Sequence, residues 1–284
     1  MSAGTALAAP PPRGRGEPAL PAGPEVRLRT AAGVALVELD RPARGNALSA
    51  TMVEALIGAV HAACADASVH TLAFCGTGRH FCTGFDLGTA EAVTDGELLL
   101  RFVRIETLLD AVWRAPVRTV AIAQGRAWGA GADLLAACDR RCVAPDASLR
   151  FPGAAFGIVL GTRRLAERVG TDRARAWVAE GTTLDAAGAV AAGLATALLP
   201  PVPEDAAARA GWREEAIGAP PVVDRATLAA IRSASRPAGG PGADALADAD
   251  LAALVRSASR PGLAARLAAY RERARAAAAR GPSD

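Results

Sequence analysis

The sequence predicts an α/β fold followed by a purely helical C-terminal region, and three observations carry that prediction. Short apolar runs of strand length alternate with amphipathic stretches of helical period from residue 26 to residue 200. Beyond Pro200 the strand-like runs stop and alanine-rich helical segments remain. The run 121–139 (AIAQGRAWGAGADLLAACD) reads as a buried strand, a glycine turn and a helix start. Gly129, Ala130 and Gly131 leave the main chain uncovered there, and the first amides of a helix have no intrahelical acceptor, so they are able to donate to a negative oxygen. A turn that only packs a helix on a sheet would read the same way, so the motif alone leaves both readings open.

Taken in order, residues 1–24 are Ala, Pro, Gly and Arg with almost no large apolar side chain, and are expected to form a disordered leader. Residues 26–30 and 34–39 read as a hairpin about Ala31-Ala32-Gly33. After the loop 40–48, Ser49 caps a helix whose apolar face carries Met52, Val53, Leu56, Ile57 and Val60. A strand over 69–75 closes on Gly76-Thr77-Gly78, and a loop with a central Gly84 runs from Arg79 to Leu87. Helix is expected over 98–112, ending near Pro116, with strands over 117–123, 139–144 and 148–151. Helices over 163–169, 174–180 and 184–192 precede a last strand near 193–200. Four helices follow, around 206–216, 225–235, 246–259 and 263–279. The echo of IRSASRP (231–237) as VRSASRP (255–261) is a repeated helix end, too short for a repeat architecture.

Composition excludes several function classes. All 32 basic residues are Arg and face 29 acids, so a net charge of +3 predicts no special attraction to nucleic acid. Hydrophobic residues reach 51% with only 4% aromatics, which predicts a core of small side chains and close helices. Five cysteines without CxxC or metal spacing, and no secretory h-region, point to reduced thiols in a cytoplasmic protein. No apolar run is long enough to span a membrane, and no metal site is expected.

Four stretches then carry a family pattern: Leu39-Asp40-Arg41-Pro42 with Asn46-Ala47-Leu48; the loop Gly76 to Leu87; Gln124-Gly125 through Asp133-Leu134 with Cys138-Asp139; and Gly181, Ala186, Ala189 and Gly193-Leu194. Together, in this order, they resemble the enoyl-CoA hydratase/isomerase family, the crotonase superfamily. The resemblance implies a spiral of ββα units over 25–200 and a C-terminal helical oligomerisation region over 201–284. It implies homotrimers or dimers of trimers. The implied substrate is an acyl-CoA thioester, or one on an acyl carrier protein, with coenzyme A part of the substrate and no permanently bound cofactor. By position, the amides of Phe85 and Ala130 become the oxyanion donors, where one donor is worth about 3 kcal/mol of barrier. Arg44, Ala47, Arg79, Phe85, Asp86, Leu87, Trp128 and Gly129 would meet the CoA thioester, with Arg271 or Arg273 as further phosphate partners.

The chain also departs from the pattern. Hydratases of the family carry two glutamates; here the first position is Asp133, shorter by about 1.5 Å of side chain, and the second is Gly153 after Pro152. The usual Pro-Gly-x-Gly-Gly-Thr loop is shortened to Gly157–Arg164. Hydration by a glutamate pair is therefore not expected. Asp133 either transfers a proton at an enolate or simply suits a helix start. Glu106 and Asp110 are reserve acids, while His61, His70 and His80 are expected to have no catalytic part. The leading expectation is isomerase- or lyase-type chemistry on an acyl-CoA. The alternatives are a non-catalytic binding or assembly paralogue and a specialised thioester hydrolase or decarboxylase.

Overall fold

The structure is a computed structural model that describes residues 25–88, 93–235 and 242–279. The expected leader over 1–24 lies outside the described residues. The hairpin forms as β1 (Val26–Ala31) and β2 (Val34–Leu39), paired antiparallel. From β2 onward every neighbour in the main sheet is parallel: β3 (Thr71–Gly76), β4 (Arg118–Ala123), β6 (Arg140–Val143) and β9 (Ala197–Leu198), in the order β1-β2-β3-β4-β6-β9. A second sheet joins β5 (Arg126–Trp128), β7 (Ser148–Arg150) and β8 (Thr183–Asp185). Consecutive strands β4 and β5, and then β6 and β7, go to different sheets before a helix closes the turn, which is the expected spiral of ββα units.

Ser49 caps α1 (Ala50–Ala65) by accepting from the Met52 amide at 3.0 Å, as its residue type predicts. Helix α2 (Asp95–Arg114) starts three residues before the expected position, because Thr94 and Glu97 form a capping box. Helix α3 (Ala130–Ala137) follows the glycine turn, then α4 (Thr162–Val169), α5 (Thr171–Glu180) and α6 (Ala186–Ala191). The expected helix over 184–192 is part strand: residues 183–185 pair with β7, which tertiary pairing decided against local helical pattern. Strand β5 and a 3₁₀ turn over Pro152–Phe156 also escaped the sequence reading, both being too short to show a period.

The main core fills the space between the two sheets with α1, α2 and α3. Helix α7 (Ala206–Ile217) covers the other face of the main sheet through Trp212, Ala216 and Ile217. A third apolar group joins Leu98 and Phe102 of α2 to Phe156, Ile158 and to α9 (Gly242–Ala258) and α10 (Leu263–Ala279), while α8 (Arg225–Ala234) buries none of its residues. All five cysteines are free, and burial pushes the Cys75, Cys82 and Cys138 thiols up to about 12, so they behave as small core residues. Among the described residues, no helix is long and apolar enough to cross a membrane, and no cluster of His, Cys, Asp or Glu is arranged to hold a metal.

Candidate active site

The loop 79–87 and the turn into α3 come together because three polar side chains hold their backbones. Asn46 donates to the carbonyls of Thr77 at 2.9 Å and His80 at 2.7 Å. Gln124 donates to Gly76 O at 2.8 Å and Gly78 O at 3.2 Å. Arg41 binds Asp86 at 2.6 Å, Ala47 O at 3.1 Å and Glu25 at 2.8 Å, joining the opening loop to the first glycine loop. The loop then runs beside β5: Cys82 N donates to Arg126 O and Trp128 N to Cys82 O, at 3.1 and 3.0 Å.

Two glycines make the close approach possible. At Gly84, φ is +89°, and a Cβ would lie 2.6 Å from Trp128 O and 3.3 Å from Ala130 N. Gly129 sits at φ 53° and ψ −129° as the N-cap of α3, a conformation that disfavours any side chain. Its own amide donates to Arg150 O at 2.8 Å, which leaves the Ala130 amide next in line without an acceptor. The bridge between Leu48 and Phe85 uses the amides of Leu48 and Asp86, so the Phe85 N–H points away from it. Among the described residues neither the Phe85 nor the Ala130 amide has an acceptor, and both residues line one cavity of about 470 Å³.

That cavity gathers most of the expected site residues. Arg44, Ala47, Phe85, Asp86, Leu87, Trp128, Gly129, Ala130 and Asp133 all line it. Arg79 does not; its side chain is exposed and its carbonyl packs on Gly125, so the expected phosphate contact has no support in its position. Arg271 and Arg275 of α10 stand at the cavity, whereas Arg273 turns elsewhere and donates to Ala155 O at 3.2 Å. Asp86 is committed to Arg41 and the Gly88 amide; burial would raise its carboxyl, but these partners outweigh it and hold it below the usual range. Trp128 lines the cavity while its indole donates to Ser148 at 3.1 Å and lies under Arg126.

Of the two buried acids that line the cavity, Asp86 is paired with Arg41, whereas Asp133 has no ion-pair partner among the described residues. It is 5% exposed and lines the cavity, and its Oδ1 has no donor. Burial pushes its carboxyl well above the usual range; the Arg164 charge opposes this and Glu106 adds to it. Gly161, the N-cap of α4 at φ +67°, is a glycine because any Cβ there would overlap the Asp133 carboxyl. Glu106, the expected reserve acid, does not face the cavity but clamps Arg164 in a bidentate pair at 2.5 and 3.1 Å. Asp110 pairs with Arg114 at 3.0 Å. His80 accepts from the Arg126 amide at 3.2 Å through Nδ1, and burial, then Arg126 and Arg79, hold it below the usual range, so it is a neutral structural acceptor. His61 is exposed and His70 bonds Thr71 at 2.9 Å, and neither lines the cavity.

The opposite wall carries no carboxylate: Phe151, Pro152, Gly153, Ala154, Phe156, Ile158 and Leu160. An aromatic ladder continues it, with Phe85 stacked on Phe102 at 4.4 Å, Phe102 6.4 Å from Phe156, and Phe156 5.0 Å from Tyr270. Sequence reasoning missed Arg164, Arg275 and this ladder. A basic residue in the first turn of a helix opposes the helix dipole, and that is the signal that could have marked Arg164 as held by a buried acid.

The comparisons agree with this geometry. The family model for enoyl-CoA hydratase/isomerase matches residues 29–238. A protein of Mycobacterium leprae that carries the name enoyl-CoA hydratase is 38% identical over 177 residues, 60% of this chain and 69% of its own length. The ethylmalonyl-CoA decarboxylase of Mus musculus is 31% identical over 215 residues, 73% of this chain and 66% of its own. A crystal structure from Bordetella parapertussis, titled as an enoyl-CoA hydratase/isomerase, superposes with a TM-score of 0.77 at 40% identity, covering 87% of this chain and 98% of that one. With its spiral of ββα units, its paired glycine loops and a family match over most of its length, this chain belongs to the enoyl-CoA hydratase/isomerase family.

Proposed function

We propose that this protein binds an acyl-CoA thioester with its carbonyl oxygen between the Phe85 and Ala130 amides and moves a proton at the acyl chain through Asp133. The observation that carries the reading is the coincidence, in one cavity, of two unengaged amides and a buried acid, Asp133, that has no ion-pair partner among the described residues. Amides fixed where charge develops favour an enolate over its ground-state thioester. Asp133 as carboxylate takes an α- or γ-proton, the C–H electrons pass into the enolate, and the resulting carboxylic acid returns the proton to the other carbon. A carboxyl that burial raises well above the usual range holds its proton more readily, which favours the return half of that exchange. Hydration needs a second carboxylate to hold water, and Gly153 supplies none. Arg44, Arg271 and Arg275 give the CoA phosphates a cationic rim.

A second reading is decarboxylation of a carboxyacyl-CoA, the reaction named for the mouse relative. The C–C electrons would stay on the thioester as an enolate, carbon dioxide would leave, and protonated Asp133 would deliver its proton to the same carbon. The apolar opposite wall favours it, because that wall offers no cation to stabilise the carboxylate that departs. The test is parallel incubation with 3-enoyl-CoA, ethylmalonyl-CoA and crotonyl-CoA, each product read by mass. The proposal expects the first or second to be converted; binding of all three without conversion would favour the non-catalytic paralogue.

A further inference from the structure

We propose that Arg164 is a positioning residue for Asp133: its buried guanidinium, held in place by Glu106, is the fixed positive charge against which the enclosed Asp133 carboxyl gains and loses its proton. This rests on the reading of Asp133 as the proton-transfer group. Arg164 is fully buried in the first turn of α4, the helix whose N-cap, Gly161, is shaped to admit the Asp133 carboxyl. Arg164 thus lies in the same helical turn whose N-cap packs against the acid. The cation is not free to leave, since Glu106 holds both of its terminal nitrogens.

An ion pair kept only for stability has no need of loose ends, and a well-packed apolar pair usually serves as well. This one leaves Arg164 Nε without an acceptor, and Asp133 Oδ1 nearby without a donor, both enclosed. Such atoms are costly in a core and persist where chemistry uses them. The charged groups around Arg164, the cation that acts on Asp133, are accounted for element by element. From α4 come Arg164, and Arg163 and Glu167, which pair with each other; from α2 come Glu106 and Asp110. From α9 comes Asp250, bound by Arg163 at 2.7 Å and 3.6 Å from Arg164. Asp110 and Asp250 each have their own Arg, so Arg164 and Glu106 are the two charges that act on Asp133 with opposite sign.

Opposite signs give a test that a structural role would fail. The Asp133 titration is followed by carbon NMR of protein labelled at the Asp carboxyl carbon, the signal identified by its loss in Asp133→Asn. In the charge-neutral double variant Arg164→Met/Glu106→Gln, the midpoint is expected to rise, by less than removal of an adjacent opposite charge alone gives, because the opposing Glu106 charge is removed with it. In Glu106→Gln alone, which frees Arg164 to act on Asp133, it is expected to fall. Arg164→Lys, which keeps the charge, should restore most of the unmodified midpoint. Midpoints that stay fixed in folded double and single variants, or that move the same way in both, would overturn the proposal. If the double variant does not fold, the direction of the Glu106→Gln shift decides alone. The readout needs no substrate, so midpoints that move as expected in a protein that converts no acyl-CoA would refute the proposed reaction and leave this inference standing.

Discussion

The two walls of the cavity are built by different parts of the chain and held in different ways. The amide wall, from Gly84 to Asp86 and from Gly129 to Asp133, is tied to the sheets by Asn46, Gln124 and Arg41 and by backbone bonds to β5 and β7. The opposite wall, from Phe151 to Leu160, hangs on the C-terminal helices: Arg266 donates to Phe156 O at 3.0 Å, and Ser257 accepts from the Val159 amide at 3.0 Å. The first wall carries the two unengaged amides to which the proposed function assigns the enolate oxygen. The second carries Gly153 and aromatic packing and no carboxylate. On the proposed function, the difference puts the oxyanion donors on backbone tied to the sheets and leaves the choice of reaction to a wall that the C-terminal helices support.

The largest effect should come from breaking the first wall. Gly84→Ala would press a methyl against Trp128 O, at 2.6 Å, and against the Ala130 amide, so that the two donors no longer converge. Turnover of the converted acyl-CoA should fall by about 10²–10³-fold, the typical cost of one lost oxyanion donor. Steady-state kinetics with little change in KM is the expected signature. Removing the acid is next: Asp133→Asn keeps the shape and should cost about 10²-fold or more in kcat, the usual share of a general acid–base. Calorimetry should show thioester affinity little changed.

The same substitution sharpens the comparison through stability. Asp133 binds its proton more tightly in the folded state than in the unfolded chain, so that contribution is complete below the unfolded value. It is lost as pH rises toward the folded one. The unmodified protein therefore loses about 1.4 kcal/mol per pH unit across that window, and Asp133→Asn does not. Thermal melts should place the two proteins together near pH 3 to 4 and show the variant gaining steadily above it. A constant difference across pH would remove the buried acid from the account.

The smallest effect is expected from rebuilding the second wall. A Cβ at Gly153 meets only Ile158 O, at 3.2 Å, so Gly153→Glu is tolerated with a slight shift. It should bring a weak hydration of crotonyl-CoA, readable as loss of enoyl absorbance, because the loop is too short to seat water well. The oligomer remains a separate proposal. Helix α8 buries none of its residues and Ile231 is 51% exposed, so a second copy is expected there, and light scattering should return a trimer's mass or its multiple.

The amide wall was legible in the sequence and the opposite wall largely was not, for physical reasons. Gly84, Gly129 and Gly131 are local requirements of backbone conformation and close approach, so the residue types announce them. Asn46 and Gln124 lie inside the same motifs, although only the structure gives their carbonyl partners. The ladder from Phe85 to Tyr270 spans 185 positions of chain and rests on how α10 packs, which no local period encodes. Arg164 was hidden in an ordinary-looking pair with Arg163; one of the two is buried and the other is not. Arg79 was assigned from its motif, yet a residue beside a functional loop need not point into it.

The central claim is that two amides and one acid support proton transfer at an enolate, without the second carboxylate that hydration needs. The most direct measurement is incubation of the unmodified protein with crotonyl-CoA in deuterium oxide, followed by mass and proton NMR. The account predicts deuterium entering the γ-position of the acyl group, lost in Asp133→Asn, with little 3-hydroxybutyryl-CoA. Formation of 3-hydroxybutyryl-CoA at an ordinary enzymatic rate of about 10 s⁻¹, with no such exchange, would contradict it.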